Sequence, residues 1–312
     1  MQFGIHNPSW LFPGGPHEYF EGLQRTARRA EELGYAWFSV MDHLIQIPGV
    51  GAPEEPFQEG WTALAALAAV TRKIRLGTLV TSVAYRNPAL LAKMAAGIDV
   101  ISRGRLTFGI GAGWYRDEYR QYGYEFPERP AVRIEQMVEA IHIAKAMWTQ
   151  PRATFHGKYF HIEDALLEPK PVQKPHPPVM IGGGGEQLTL RAVARVGNAC
   201  NLFGDPATVQ QKLAVLRRHC ETEGRDFAEI ERTSLTSLLL ARDEAALKTK
   251  CERLQIPDNA RGYILTVSQA VDLAGRYAGV GVQLLITSFL KNDPETMELL
   301  AADVMPQFLG SR

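Results

Sequence analysis

Short apolar runs with almost no polar alternation recur along the chain, each followed by a segment of helical spacing. Phe3 to His6, Trp37 to Val40, Ile74 to Thr81 and Arg105 to Ile110 read as strands covered on both faces, as in a parallel sheet. Between them, Tyr19, Leu23, Ala27, Ala30 and Leu33 mark one helical face within His17 to Leu33, and Gly34 stops it. Trp61 to Val70 is an Ala/Leu-rich helix. Asn87 followed by Pro88 predicts a capped helix reaching about Ile101. Four strand–helix repeats imply parallel pairing with right-handed crossovers.

The alternation breaks after the helix predicted over Glu128 to Trp148. Thr154 to Phe160 reads as a hairpin turning at Gly157-Lys158. Glu168 to Pro178 holds five prolines and is a stiff connector. We read about 151–178 as an insertion. Strands then resume at Val179 to Ile181, Asn198 to Phe203, Arg232 to Ala241 and Val282 to Ile286. The intervening helices are Leu188 to Val196, Pro206 to Thr222, Asp243 to Leu254 and a helix capped by Ser268. Pro294 to Phe308 is the last helix. About eight strand–helix units predict an α/β fold, a (β/α)8 TIM barrel with an insertion between strands four and five, forming one domain over 1–312.

Composition narrows the function. The chain has 312 residues, 46% of them hydrophobic, and a formal net charge of zero. With no basic stripe and no run of like charge, neither nucleic acid nor a charged tail is indicated. No apolar stretch approaches the ~20 residues of a membrane span, and the N-terminus lacks a leader pattern. Three unpatterned cysteines fit a reducing cytosol. The expectation is a cytoplasmic protein acting on a small molecule, without membrane, nucleic acid or metal.

In such barrels the chemistry sits at the C-terminal ends of the strands. Gly111, Ala112, Gly113 and Trp114 leave strand four, where small residues admit a flat ligand and Trp114 offers a face to stack on. Gly182, Gly183, Gly184 and Gly185 open a helix and read as a phosphate site, provided that Glu186 points away. Asp42-His43 leaves strand two and can exchange a proton near neutral pH. Gly109, Gly111 and Gly113 do not have dinucleotide-fingerprint spacing. The histidines show no paired metal-ligand spacing, and His156 and His161 fall on the surface of the hairpin. Trp10 and Trp61 pack a loop and a helix.

Taken in order, these residues resemble the bacterial luciferase-like superfamily, in its coenzyme F420-dependent oxidoreductase branch. The resemblance rests on Met41-Asp42-His43, Ile74 to Ser82, Tyr85 to Lys93, Asp99 to Leu106, Gly109 to Trp114, and Pro169 to Gln173 leading to Pro178 to Gly183. It implies a TIM-type barrel, a homodimer, and F420 or FMN at the C-terminal mouth. It also implies a cis peptide on strand three that backs the ring, by position Ser82-Val83. Asp42 would then contact the ring, and His43 would lie near its reactive carbon. Gly111 to Gly113 and Gly182 to Gly185 would take the polyol and phosphate. Deazaflavin sugar-phosphate dehydrogenases carry a glutamate where this chain has Trp114. That difference disfavours a sugar phosphate and leaves proton transfer to His43 or a water. The sequence also lacks a clear basic cluster for a second phosphate.

The first reading is therefore hydride transfer between F420 and a small organic substrate, with the cofactor supplying the ring chemistry. An FMN-dependent monooxygenase fed by a separate reductase is the second. A flavin-binding protein without turnover is the third.

Overall fold

The computed structural model describes residues 1–12, 15–257 and 259–309. Its strands are β1 (Gln2–Asn7), β2 (Trp37–Val40), β3 (Arg75–Thr78), β4 (Thr81–Ser82), β5 (Leu106–Gly111), β6 (Ala153–His156) and β7 (His161–Ala165). There follow β8 (Val179–Gly182), β9 (Ala199–Phe203), β10 (Glu231–Ala241), β11 (Tyr263–Thr266) and β12 (Leu284–Phe289). The helices are α1 (Tyr19–Glu32), α2 (Gly60–Val70), α3 (Pro88–Ser102), α4 (Arg116–Gln121) and α5 (Pro130–Thr149), then α6 (Thr189–Val196), α7 (Pro206–Thr222), α8 (Glu244–Leu254), α9 (Val267–Gly279) and α10 (Pro294–Leu299).

Parallel pairing runs from β1 through β2, β3, β5, β8, β9, β10 and β12. It closes because β12 pairs back onto β1, with Ile5 opposite Thr287 on one side and Phe38 on the other. This is the expected eight-stranded (β/α)8 barrel. The insertion holds the antiparallel hairpin β6–β7, with Gly157 at its turn. Between barrel and helices, apolar strand faces pack onto Leu23 and Ala27 of α1, Leu64 and Leu67 of α2, and Leu91 and Ala95 of α3. Asn87 caps α3 as expected, accepting from the N–H of Ala89 at 2.9 Å.

Four local expectations change. The third strand is not continuous: β3 stops at Thr78 and resumes as β4, with a cis peptide between Leu79 and Val80. The implied cis bond is thus three residues upstream of Ser82-Val83. Helix α9 is capped by Thr266, not Ser268, through a box in which the Gln269 side chain answers the Thr266 N–H. Strand β11, added outside the barrel edge of β10, carries too few residues to show a period. The last helix ends at Leu299 and continues as a wider turn over Leu300–Val304.

Candidate functional site

The C-terminal ends of the strands enclose a cavity of about 570 Å³. Asp42, His43, Ser82, Gly111 to Trp114 and Gly182 to Gly185 all line it. Val83 does not. Its side chain is buried in the core, and its N–H donates to the Gly111 carbonyl at 3.1 Å.

The floor belongs to Val80, placed there by the interruption between β3 and β4. A Cβ on Gly111 would lie 2.7 Å from Val80 Cγ2, and one on Gly182 2.8 Å from the same atom. Two of the strand-end glycines therefore make room for a valine side chain, in addition to any ligand. Gly113 has φ +78°, and a Cβ there would fall 1.8 Å from the Tyr119 hydroxyl. Ser82 meets that hydroxyl with its own Oγ, so it is tied to the wall.

Asp42 is buried and engaged on both oxygens. Arg86 donates Nη1 to Oδ2 at 2.7 Å and Nη2 to Oδ1 at 2.8 Å, and Thr81 donates to Oδ2. Burial pushes the Asp42 carboxyl upward, and the guanidinium works against that push. Arg86 also reaches Glu59, which caps α2 by accepting from the N–H of Trp61 and Thr62. The pairing orients Met41-Asp42-His43 at the exit of β2.

His43 is the centre of the site. Its Nδ1 lies 2.8 Å from Glu118 Oε2. Glu118 also accepts from the N–H of Leu44 and of Ile45 and from the Tyr85 hydroxyl. Burial works to raise the Glu118 carboxyl, but these donors, His43 foremost, hold it below its ordinary value. An ionised carboxylate only accepts, so Nδ1 carries the hydrogen of a neutral His43 and Nε2 is left with a lone pair. Burial and the Glu118 charge push the Tyr85 hydroxyl upward, keeping it a donor. Trp114 stands edge-on to the imidazole at 5.8 Å between centroids and stacks on Tyr115 at 5.3 Å.

Sequence reasoning missed Glu118. It sits in the six residues of α4, within an Arg-Asp-Glu-Tyr-Arg run that looks like a solvated surface and is too short for a period. Its side chain is fully buried. Asn201 and Arg133 were missed as well. Both line the cavity, and among the described residues each keeps a buried polar atom without a protein partner, Oδ1 of Asn201 and Nε of Arg133.

At the glycine loop, Glu186 turns onto Lys212 Nζ at 2.7 Å, clear of the loop's inner face. Helix α6 has no side-chain cap. Gly183 N–H is used by the Asn201 carbonyl, while among the described residues the N–H groups of Gly184 and Gly185 donate to no carbonyl. The helix end and these two groups suit an anion such as phosphate. The residues present thus fit a flat, polar-edged ring with a phosphorylated tail.

A family model described as luciferase-like monooxygenase matches residues 1–284. An uncharacterised protein of Mycobacterium tuberculosis H37Rv is 30% identical over 215 residues, 64% of this chain and 74% of that one. Pyrimidine monooxygenase RutA of Allorhizobium ampelinum is 34% identical over 183 residues, 57% of this chain and 48% of that one. The F420-dependent glucose-6-phosphate dehydrogenase of Amycolatopsis mediterranei is 28% identical over 243 residues, 75% and 68% respectively. Among solved structures, monooxygenase RslO1 of Streptomyces bottropensis shares the fold with a TM-score of 0.79 at 22% identity, covering 99% of this chain and all of that one.

Proposed function

The chain belongs to the luciferase-like monooxygenase family, and within it we propose a coenzyme F420-dependent oxidoreductase that exchanges a hydride with a small organic substrate. One observation carries the reading: His43, its Nδ1 fixed by the buried Glu118 carboxylate, opens its other nitrogen onto a cavity floored by Val80 and ended by the Gly182 to Gly185 loop. Bound deazaflavin supplies a carbon that gives or takes a hydride. Oxidising an alcohol to a carbonyl also requires a base for the hydroxyl proton, and His43 Nε2 is that base; in the reverse direction it returns the proton. Glu118 keeps the imidazole in one tautomer and compensates its charge when it holds the proton, the logic of a carboxylate–histidine pair. Val80 would support one face of the ring. The N–H groups of Gly184 and Gly185, which donate to no carbonyl among the described residues, would hold the phosphate with the start of α6. Trp114 and Tyr115 cover the imidazole and limit water.

The span of the likeness to the F420-dependent dehydrogenase, 75% of this chain against 51% for the FMNH(2)-dependent dimethylsulfone monooxygenase of Pseudomonas putida, supports F420 over FMN. The latter likeness is closer in identity, 32% against 28%, so an FMN-dependent monooxygenase is the second reading. A binding protein without turnover accounts less well for a buried carboxylate spent on orienting one histidine. The test is anaerobic: oxidised F420, purified protein and a panel of small alcohols, following loss of the cofactor's visible absorbance. Bleaching with any of them supports the reading. No bleaching, together with an oxygenated product when reduced FMN, oxygen and substrate are supplied, moves the protein to the second.

A further inference from the structure

Beside the site lies a second chamber of about 650 Å³, joined to the first through His6, Met41, Ile47, Trp114, Phe203 and Leu235. We propose that this chamber binds the substrate, and that the substrate is an apolar molecule with one anionic end, of the carboxylic-acid class. As a substrate pocket it rests on the reading of the first chamber as the ring site. As an anion-selecting pocket it does not.

The apolar half of the claim comes from side chains that folding leaves uncovered. Leu11, Val50, Trp114 and Phe203 are 48%, 42%, 57% and 52% exposed, and all four face this chamber. They come from four separate loops or strand ends, so their convergence is a property of the fold. An apolar ligand removes them from water together.

The anionic half comes from Arg261 and Lys291, which reach the chamber from two further loops. The Arg261 guanidinium lies over Gly49. Lys291 is held at φ 58° and the next residue, Asn292, at φ 50°, two left-handed non-glycine residues in succession. Such backbone is costly and persists where the surroundings impose it. Here Asn292 Nδ2 reaches the carbonyls of Ser9 and Leu11. Among the described residues the lining carries one carboxylate, Glu55, and it accepts the N–H of Ala52 in its own loop. His6, shared by both chambers, is neutral because burial, and then His43, depress it to about 3. Among the described lining residues, two cations against one carboxylate favour an anion. Ser237 and Ser288, bonded to each other at 2.7 Å, add hydroxyls that an acid's oxygen can share.

The test compares 4-phenylbutyrate with 4-phenylbutanol on the full chain, with and without F420, by calorimetry. The acid is expected to bind about tenfold more tightly than the alcohol, the worth of one charge-assisted contact. Arg261→Gln and Lys291→Asn, the latter chosen because asparagine tolerates a left-handed backbone, should each weaken the acid several-fold and leave the alcohol unchanged. Equal or tighter binding of the alcohol, no effect of either substitution, or binding of neither compound would overturn the proposal. F420 titrated into the same variants separates the two readings. Normal cofactor binding without acid preference fails the chamber alone, whereas acid preference without cofactor binding fails the ring site alone.

Discussion

The two chambers meet at the same barrel mouth but are built in opposite ways. The first has its reactive wall tied down by the protein. Val80 presses on Gly111 and Gly182, Asp42 is clamped by Arg86, and Glu118 takes four donors. The second is walled in good part by loops, and Leu11, Val50 and Phe203 stay exposed there while the Arg261 and Lys291 charges have no ion-pair partner among the described residues. A packed wall leaves little freedom for a ring or a base to move, and effective catalysis depends on such fixed geometry. An uncommitted wall changes its ligand by changing loops, which the barrel tolerates. Constant chemistry in the first chamber and variable specificity in the second is the arrangement this contrast suggests.

The sharpest way to break the contrast is to remove the base. His43→Ala should lower turnover by about 10²–10⁴, with cofactor affinity little changed, as measured by steady-state kinetics beside a binding titration. A smaller kinetic loss would mean that a water does the work. Arg86→Met comes next. It leaves the Asp42 carboxyl buried without its cation and should cost about 3–5 kcal/mol in denaturant unfolding. Loss near zero would show that the clamp is dispensable. Gly111→Ala drives a methyl into Val80 and should cost about 1–3 kcal/mol while weakening the cofactor. By contrast, Val50→Ala in the second chamber should stay within about 0.5 kcal/mol of the parent in stability and should alter KM alone.

A separate effect is expected on acid stability. His6 is held at about 3 when folded, against 6.5 when free. Its folded form binds fewer protons, so stability is intact above pH 6.5 and falls as pH drops from there toward 3. His6→Asn should flatten that part of an unfolding-versus-pH curve. An unchanged slope would place the acid sensitivity elsewhere.

The same contrast explains what could be read from residues alone. Strand-to-helix alternation and the rule that barrel chemistry gathers at strand ends were enough to place Asp42, His43 and both glycine loops at the barrel mouth. Those residues follow strands directly in the chain. Val80 was hidden because Ile74 to Ser82 reads as one strand, and no side-chain pattern betrays a break between Thr78 and Thr81. Glu118 was hidden because a fully buried carboxylate and a surface one have the same letter, and α4 is too short to show which face is inward. Glu118, four residues beyond Trp114, brings a carboxylate to His43 from the next turn of chain. Arg261 and Lys291 are far apart in sequence and line one chamber only because two loops fold over one mouth, so no spacing announces them.

The central claim is that the first chamber holds a deazaflavin beside His43. Titration of the purified protein with F420, and separately with FMN, followed by ligand fluorescence in parent and Gly111→Ala proteins, tests it most directly. Saturable binding of F420 by the parent, weaker binding by the variant, and no comparable binding of FMN are expected. Saturable binding of FMN alone, or F420 affinity indifferent to Gly111→Ala, would contradict it.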